Sequence, residues 1–423
     1  MLSAVVGINW GDEGKGRMVD LLCRNFDIVC RFQGGNNAGH TVVNEKGKFV
    51  LNLLPSGILQ DGTINVLGGG TVIDIEHLVN EIAALRKAGI TVTPENLKIS
   101  DRATICMPYH RLQDCLEEDR LAGNKFGSTR RGIGPVYSDK YMKKTIRMGD
   151  LKRLTDIRQH IADIVEWKNL MIVGGYGKSK IETQSVMNWL YTYGDPLKPF
   201  ICNTTKYLSD AVSAEKQILF EAQLGALRDI DMGIYPYTSS SNSLAAYAPI
   251  GAGIPGEKLD EVIGIMKAYS TCVGEGPFTC ELFGEDGEAL RKAGNEYGAA
   301  TGRPRRVGGF DAVASRYGVM VQGADKIALT KLDVLSYLDK IPVCVAYEAD
   351  GKRINDFPSG DLLYKAKPVY EYLDGWKQDI SHCRRYTELP ENARKYIEYI
   401  EQQIGCMVNY ISVGAEREQI IIR

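Results

Sequence analysis

Residues 4–17 read Ala4-Val5-Val6-Gly7-Ile8-Asn9-Trp10-Gly11-Asp12-Glu13-Gly14-Lys15-Gly16-Arg17. An apolar run empties into a glycine-rich turn that holds one lysine. A helix-like segment with Met18, Val19, Leu21 and Leu22 follows. This layout suits a phosphate cradle, because glycines let backbone N–H groups point inward and the next helix offers its N-terminus to an anion. The lysine adds a mobile positive charge. A bare strand–helix turn is the plainer alternative, and four glycines around one lysine make it the weaker one. The loop is not a Walker A sequence, since Gly16 and not Ser or Thr follows Lys15. Asp12 is the odd member. A carboxylate among phosphate ligands repels them unless it holds Mg²⁺ or takes a proton from a substrate.

Outward from this loop, strand-like and helix-like pieces alternate. Asp27 to Phe32 is a second apolar run, and it ends in Gln33-Gly34-Gly35-Asn36-Asn37-Ala38-Gly39-His40-Thr41. Thr41 to Val43 and Lys48 to Leu53 predict a hairpin. Asp74 can cap a helix with Ile75, Leu78, Val79, Ile82 and Leu85 at the 3.6-residue period, closed by Gly89. Further strands are predicted near 65–67, 217–222, 262–268, 326–330, 408–411 and 419–422, and a late helix after Pro390. The pattern predicts an α/β fold with a mainly parallel central sheet and helices on both faces, like a P-loop NTPase, with helical and small β insertions. The chain reads as a single domain over 1–423, with a mostly helical insertion around 151–216.

The bulk composition narrows the function classes. Fifty-one basic residues against 53 acidic give a net charge of −2, so no global field attracts nucleic acid or an acidic membrane. No apolar run reaches membrane-spanning length. The ten cysteines form no C-x-x-C pair. With no secretion signal, reduced thiols in the cytoplasm are expected.

Three further segments carry chemistry. Both glycine-rich loops follow strands expected to run parallel, so His40 and Asp12 would open at one carboxyl edge of the sheet, as acid and base. Thr330-Lys331-Leu332-Asp333 follows the buried strand Ile327-Ala328-Leu329 and is similar to the N-K-x-D guanine-reading motif. A carboxylate there accepts both donors on the guanine edge. Adenine has no such donor pair and would leave it unpaired, at about 1–3 kcal/mol. Ala299-Ala300-Thr301-Gly302-Arg303-Pro304-Arg305-Arg306 offers arginine forks to carboxylate or phosphate. Gly127-Ser128-Thr129-Arg130-Arg131-Gly132-Ile133-Gly134-Pro135 adds a second phosphate-type loop.

Together these segments, with Asp229-Ile230-Asp231, Tyr235-Pro236-Tyr237 and Ser412-Val413-Gly414, resemble the adenylosuccinate synthetase family, in order and over nearly the whole chain. The resemblance implies a GTP- and Mg²⁺-dependent ligase joining IMP to L-aspartate through a 6-phosphoryl intermediate, as a cytoplasmic homodimer. Asp12 is then the proton acceptor and His40 the proton donor, with Lys15 beside them. GTP is implied to meet Gly11, Asp12, Glu13, Gly14, Lys15, Gly16, Arg17, Gly39, His40, Thr41, Arg305, Lys331, Leu332, Asp333, Ser412, Val413 and Gly414. IMP is implied to meet residues 12–15, Asn37, Ala38, Gly39, His40, Thr129, Lys143, Gln223, Thr238, Ser239 and Arg303. Residues 299–305 would hold aspartate, and Asp12 with the Gly39 carbonyl would hold Mg²⁺.

Three positions depart from the family pattern. Lys143 stands where the family usually carries an arginine lent by the partner subunit; lysine keeps the charge and loses the fork. Ala222-Gln223-Leu224-Gly225 shifts the family's glutamine by one place, so either a bulge returns Gln223 to IMP or the contact is lost. Thr238-Ser239-Ser240-Ser241 replaces Val-Thr-Ser-Ser, leaving the hydroxyl to Ser239 or Thr238. Two other readings compete: a viral-type synthetase acting on dGMP, in which a small residue replaces the loop aspartate, and a guanine-nucleotide switch that would need neither His40 nor the arginine loop.

Overall fold

The computed structural model describes residues 1–44, 47–297 and 304–423. Its centre is a ten-stranded sheet. In chain order the strands are β1 (Leu2–Gly7), β2 (Ile28–Arg31), β3 (Ile64–Leu67), β4 (Leu97–Ser100), β5 (Ile201–Cys202), β6 (Ile218–Glu221), β7 (Glu261–Lys267), β8 (Lys326–Thr330), β9 (Val408–Ser412) and β10 (Ile420–Ile422). Their spatial order is β10-β9-β8-β7-β1-β6-β2-β3-β4-β5. Every pair is parallel except β9 with β10, which closes one edge antiparallel.

The alternation of side chains along β1 explains the cover on both faces. Ala4 and Val6 join Cys30, Phe220, Leu208 and Ala252 in one core. Val5 points the other way, to Met18, Val19 and Leu22 of helix α1 (Lys15–Leu22) and to Val29, Leu219 and Ile263. Each such buried side chain is worth roughly 1.5–3 kcal/mol, so a central strand buried on both faces is strongly specified. The register places β1 between β6 and β7, with Val5 opposite Glu221 and Gly7 opposite Ile265. Lys267 pairs in turn with Thr330, and Glu221 with Arg31. Four charged or polar residues, Arg31, Glu221, Lys267 and Thr330, thus collect at one end of the sheet.

The expected helix runs Ile75–Lys87, with the Asp74 carboxylate accepting the His77 N–H at 3.1 Å. The hairpin is His40–Asn44 with Gly47–Leu51. The stretch 151–216 is helical in its first part, Arg158–Asn169 and Thr183–Gly194. Its later part re-enters the main sheet as β5 and covers it with Thr204–Ser213. A small second sheet is built from Phe310–Asp311, Lys340–Ala349, Lys352–Ile354 and Lys367–Asp374. Lys340–Ala349 is buried on both faces over Val343 to Tyr347 and wet only towards its ends. All ten cysteines are free thiols. Among the described residues no helix is long and apolar enough to cross a membrane.

Candidate active site

The loop after β1 folds around Glu13. Its Oε1 accepts the N–H groups of Gly11 (2.7 Å) and Asn9 (3.1 Å), and its Oε2 accepts from Lys15 Nζ (2.9 Å). Lys15 also donates to the Gly11 carbonyl at 3.1 Å. Gly11 has φ 107° and Gly14 φ 96°, conformations that β-carbon residues rarely hold. Glu13, read as a ligand contact, is thus the buried brace of the cradle. Arg17 donates to Ser412 Oγ and the Gly414 carbonyl, both at 2.6 Å. It ties α1 to the C-terminal turn.

Asp12 faces the adjacent strand ends. Its Oδ2 accepts from Thr271 Oγ1 at 2.6 Å, with Lys267 Nζ at 3.4 Å and Arg305 Nε at 3.9 Å. Burial pushes its carboxyl up, but Lys267, Arg305 and the Thr271 hydroxyl outweigh burial and the Glu296 charge and hold it below its ordinary value. Asp12 is therefore ionised and able to accept a proton.

His40 begins the hairpin and packs on the start of α1, where a Cβ on Gly16 would lie 2.8 Å from His40 Cβ. Its Nδ1 meets Glu221 Oε1 at 2.5 Å, and Glu221 also accepts from the Ser56 N–H and hydroxyl, each at 2.7 Å. Burial holds the imidazole below its ordinary value, opposed by Glu221. Burial pushes Glu221 up in turn, yet His40, Arg31 and Ser56 bring it down to about 2. The carboxylate fixes Nδ1 as the donor and leaves Nε2 to the site.

Loops after β1 and β8 are joined directly, by Thr330 Oγ1 donating to the Glu13 carbonyl at 2.8 Å. Beyond them, Glu296 gathers cations. Its Oε1 accepts from Tyr269 Oη (2.5 Å), Lys331 Nζ (2.8 Å) and Lys267 Nζ (3.0 Å), and its Oε2 from Arg305 Nη1 (2.7 Å). Burial raises this carboxyl, and Lys267, Lys331 and the Tyr269 hydroxyl together hold it well below its ordinary value. Asp333 has the opposite balance. Burial raises it, and its buried Oδ1 has no hydrogen-bond partner. A buried carboxylate oxygen without a donor is what a base-reading residue presents to a purine edge.

Gln223 reaches the second loop through a bend in which Leu224 takes φ 60°. Its Nε2 donates to the Gly35 carbonyl at 2.8 Å, and its carbonyl accepts from Gln33 Nε2 at 2.8 Å. Its buried Oε1 is unpartnered. Asn37 Oδ1 accepts the Gly35 N–H at 3.3 Å, and the Ala38 carbonyl accepts from Asn52 Nδ2 at 2.9 Å. Thr41 lies exposed on the hairpin. Ser239 and Thr238 are half-buried, and Ser239 Oγ is 3.2 Å from Ser241 Oγ.

Not every expected contact residue joins this centre. Thr129 is exposed on its own loop, and Lys143 is exposed just past the helix Ile133–Tyr141 with φ 61°. Arg306 drops out of the arginine clamp: it pairs with Glu281 Oε2 at 2.5 Å and donates to the Gly276 carbonyl. Ala299, Ala300, Thr301, Gly302 and Arg303 lie outside the described residues, and Pro304 is exposed beside them.

Sequence reading missed Glu221, Lys267, Thr271 and Glu296. The first two had a signal, a charged residue ending a buried apolar strand. Among the described residues no group of three or more His, Cys, Asp or Glu is set to hold a metal ion. One carboxylate and one carbonyl, as at Asp12 and Gly39, fit Mg²⁺ in the usual way, in which substrate phosphates and water complete the shell.

Known proteins resemble the chain over its whole length. The family model described as adenylosuccinate synthetase matches residues 4–421. The adenylosuccinate synthetase of Thermoanaerobacter sp. (strain X514) is 46% identical over 419 residues, covering 99% of this chain and 98% of its own. That of Caldicellulosiruptor bescii is 45% identical over 425 residues, covering 100% and 99%. The structure of the fully ligated enzyme from Plasmodium falciparum superposes with a TM-score of 0.93 at 37% identity, covering 100% of this chain and 99% of its own. The cyanophage S-2L succinoaminodeoxyadenylate synthetase, solved with dGMP and dATP, has the same fold, at a TM-score of 0.63 and 19% identity over 100% and 95% of the two chains. The chain belongs to the adenylosuccinate synthetase family.

Proposed function

We propose that the ligase reaction of this family, which joins IMP and L-aspartate into adenylosuccinate on the route to AMP, runs here on GTP with Asp12 as base and His40 as acid. The observation that carries this reading is that the loop of Asp12 and Lys15 packs at Gly16 on the Glu221-held His40 and is tied through Glu13 to Thr330, three residues before Asp333 with its unpartnered buried oxygen.

The C6 oxygen of the IMP ring is a poor leaving group. Asp12 takes the N1 proton, and the charge moves to that oxygen. The oxygen bonds to the γ-phosphorus of GTP, the bond from that phosphorus to the β-phosphate oxygen breaks, and GDP leaves. Lys15 and the His40 Nε2 side meet the charge spread over the transferring group. With Glu221 behind and an anion in front, the imidazole can carry a proton on both nitrogens and donate one. The aspartate amine then bonds to C6, the C6–oxygen bond breaks, and phosphate departs with that oxygen. Mg²⁺ held by Asp12 and Gly39 would neutralise charge on the phosphates when bound.

The family resemblance assigns Asn37, Ala38, Thr129, Gln223, Ser239, Thr238 and Arg303 to IMP, and residues 299–305 to aspartate. Lys331, Asp333 and the 412–414 turn fit guanine. Lys143 stands beside exposed Tyr141 and Met142, 71% and 50% accessible, which fits a homodimer that lends this lysine to the second copy's IMP phosphate. A guanine switch would have no use for the His40–Glu221 pair.

Purified protein with IMP, GTP, L-aspartate and Mg²⁺ is expected to show the purine absorbance change of adenylosuccinate and to release one phosphate per product. No change with IMP but turnover with dGMP would replace this reading by the viral-type one. ATP serving as well as GTP would remove the role given to Asp333.

A further inference from the structure

A second group of buried charges lies away from the chemistry, between helices Pro108–Leu121, Ile133–Tyr141 and Arg158–Asn169. Lys168 is 0% exposed. Its Nζ donates to Asp139 Oδ2 at 2.6 Å and to Gln113 Oε1 at 2.8 Å. The ammonium also lies over the rings of Trp167 (5.3 Å) and Tyr109 (5.7 Å). His110 is equally buried. Its Nδ1 accepts the Met107 N–H at 2.9 Å, so the ring proton sits on Nε2, which donates to Asp139 Oδ2 at 3.0 Å.

Bulk stability does not call for such a group, since apolar side chains of similar size hold helices together at least as well as a buried ion pair. Directed bonds do something apolar contacts do not: they fix how far each helix slides and turns against the next. The first two helices flank the loop 126–132. The first also grips that loop from below. Asp114 accepts from Ser128 Oγ (2.6 Å) and the Gly132 N–H (2.8 Å). Glu118 accepts the N–H groups of Phe126 (3.1 Å) and Gly127 (3.2 Å). The second helix starts at Ile133, directly after the loop.

We propose that Lys168, Asp139 and His110 are positioning residues for the nucleotide loop: Lys168 reaches in from the 151–216 region, locks the second helix to the first, and so sets where Thr129 stands. The inference rests on the reading that Thr129 contacts IMP, and it gives the helical region a part in substrate binding.

The test compares Lys168→Met, Asp139→Asn, the double variant and Thr129→Ala, each measured for kcat, KM for IMP, KM for GTP and Tm. All four are expected to raise KM for IMP about tenfold, with kcat and KM for GTP within about twofold of the parent. The double variant should be no worse than the poorer single one, because both act through one contact. A lowered Tm with KM for IMP unchanged in Lys168→Met and Asp139→Asn would make the cluster structural and overturn the proposal, provided Thr129→Ala raises that KM. If Thr129→Ala leaves it unchanged, the reading of the loop itself falls and takes the proposal with it. Should Lys168→Met not fold, Asp139→Asn decides alone, since asparagine keeps the shape and an acceptor for Lys168.

Discussion

Asp12 and Thr129 are supported in contrasting ways. Asp12 follows the end of β1 closely, and its neighbours Lys267 and Thr271 sit at or just past the end of the next strand. The sheet itself sets their spacing. Thr129 stands on a loop slung between two helices, held by carboxylates that arrive from below and by a buried charge cluster farther back. The first arrangement places reacting groups to within a fraction of an ångström, as proton and phosphoryl transfer demand. The second places a binding contact, where small displacements cost affinity before they cost rate. Substitutions near the strand ends should therefore lower kcat, and those around the helix-borne loop should raise KM.

The largest effect is expected from Asp12→Asn. It keeps shape and removes the base, so kcat should fall on the order of 10³-fold or more, with Tm and IMP binding retained. Near-normal turnover would break the contrast at its strongest point. Glu221→Gln should come next, at roughly 10²-fold in kcat, because the imidazole loses the charge that lets it carry a second proton. If its effect appeared in KM only, His40 would be a binding group. Asp333→Asn loses discrimination rather than rate. Its kcat/KM for GTP should drop about 10- to 100-fold while kcat at saturation stays near the parent's, checked by GTP and ATP titrations side by side.

The smallest effect at neutral pH concerns His110, which sharpens the contrast from the stability side. Burial pushes its imidazole down to about 4 from 6.5, while Asp139 opposes. As pH falls through 6.5 the unfolded chain takes up a proton that the folded chain refuses. Stability should thus be fully present above about 6.5 and decline towards pH 4, by roughly 3 kcal/mol from this group. Denaturant melts across that range should show the slope, and His110→Gln should flatten it. An unchanged slope would mean that His110 titrates alike in the folded and unfolded chain.

The sequence made some of this legible and hid the rest for a physical reason. Apolar runs ending in a glycine-rich turn or a polar residue marked β1, β2, β6 and β8, and with them Asp12 and Asp333. The carboxylate that holds His40 lies 181 residues away from it. Nothing local in a sequence pairs two such positions; only the strand order does, by setting β6 between β1 and β2. Glu296 was harder still, since it ends no buried strand and its three cations come from three separate segments. Arg306 misled in the opposite direction, being a basic residue beside a ligand loop that spends its donors on the protein's own oxygens.

The close approach of Gly16 to His40 bears on how this fold relates to other nucleotide enzymes. A P-loop NTPase carries a hydroxyl residue directly after the loop lysine. Here the space that such a side chain would need is taken by the start of the hairpin, with 2.8 Å between a Cβ at 16 and His40 Cβ. A side chain at 16 would therefore push His40 off its place. Gly16→Ser alone should displace the acid without installing a working metal ligand, and shrinking His40 alone should leave neither.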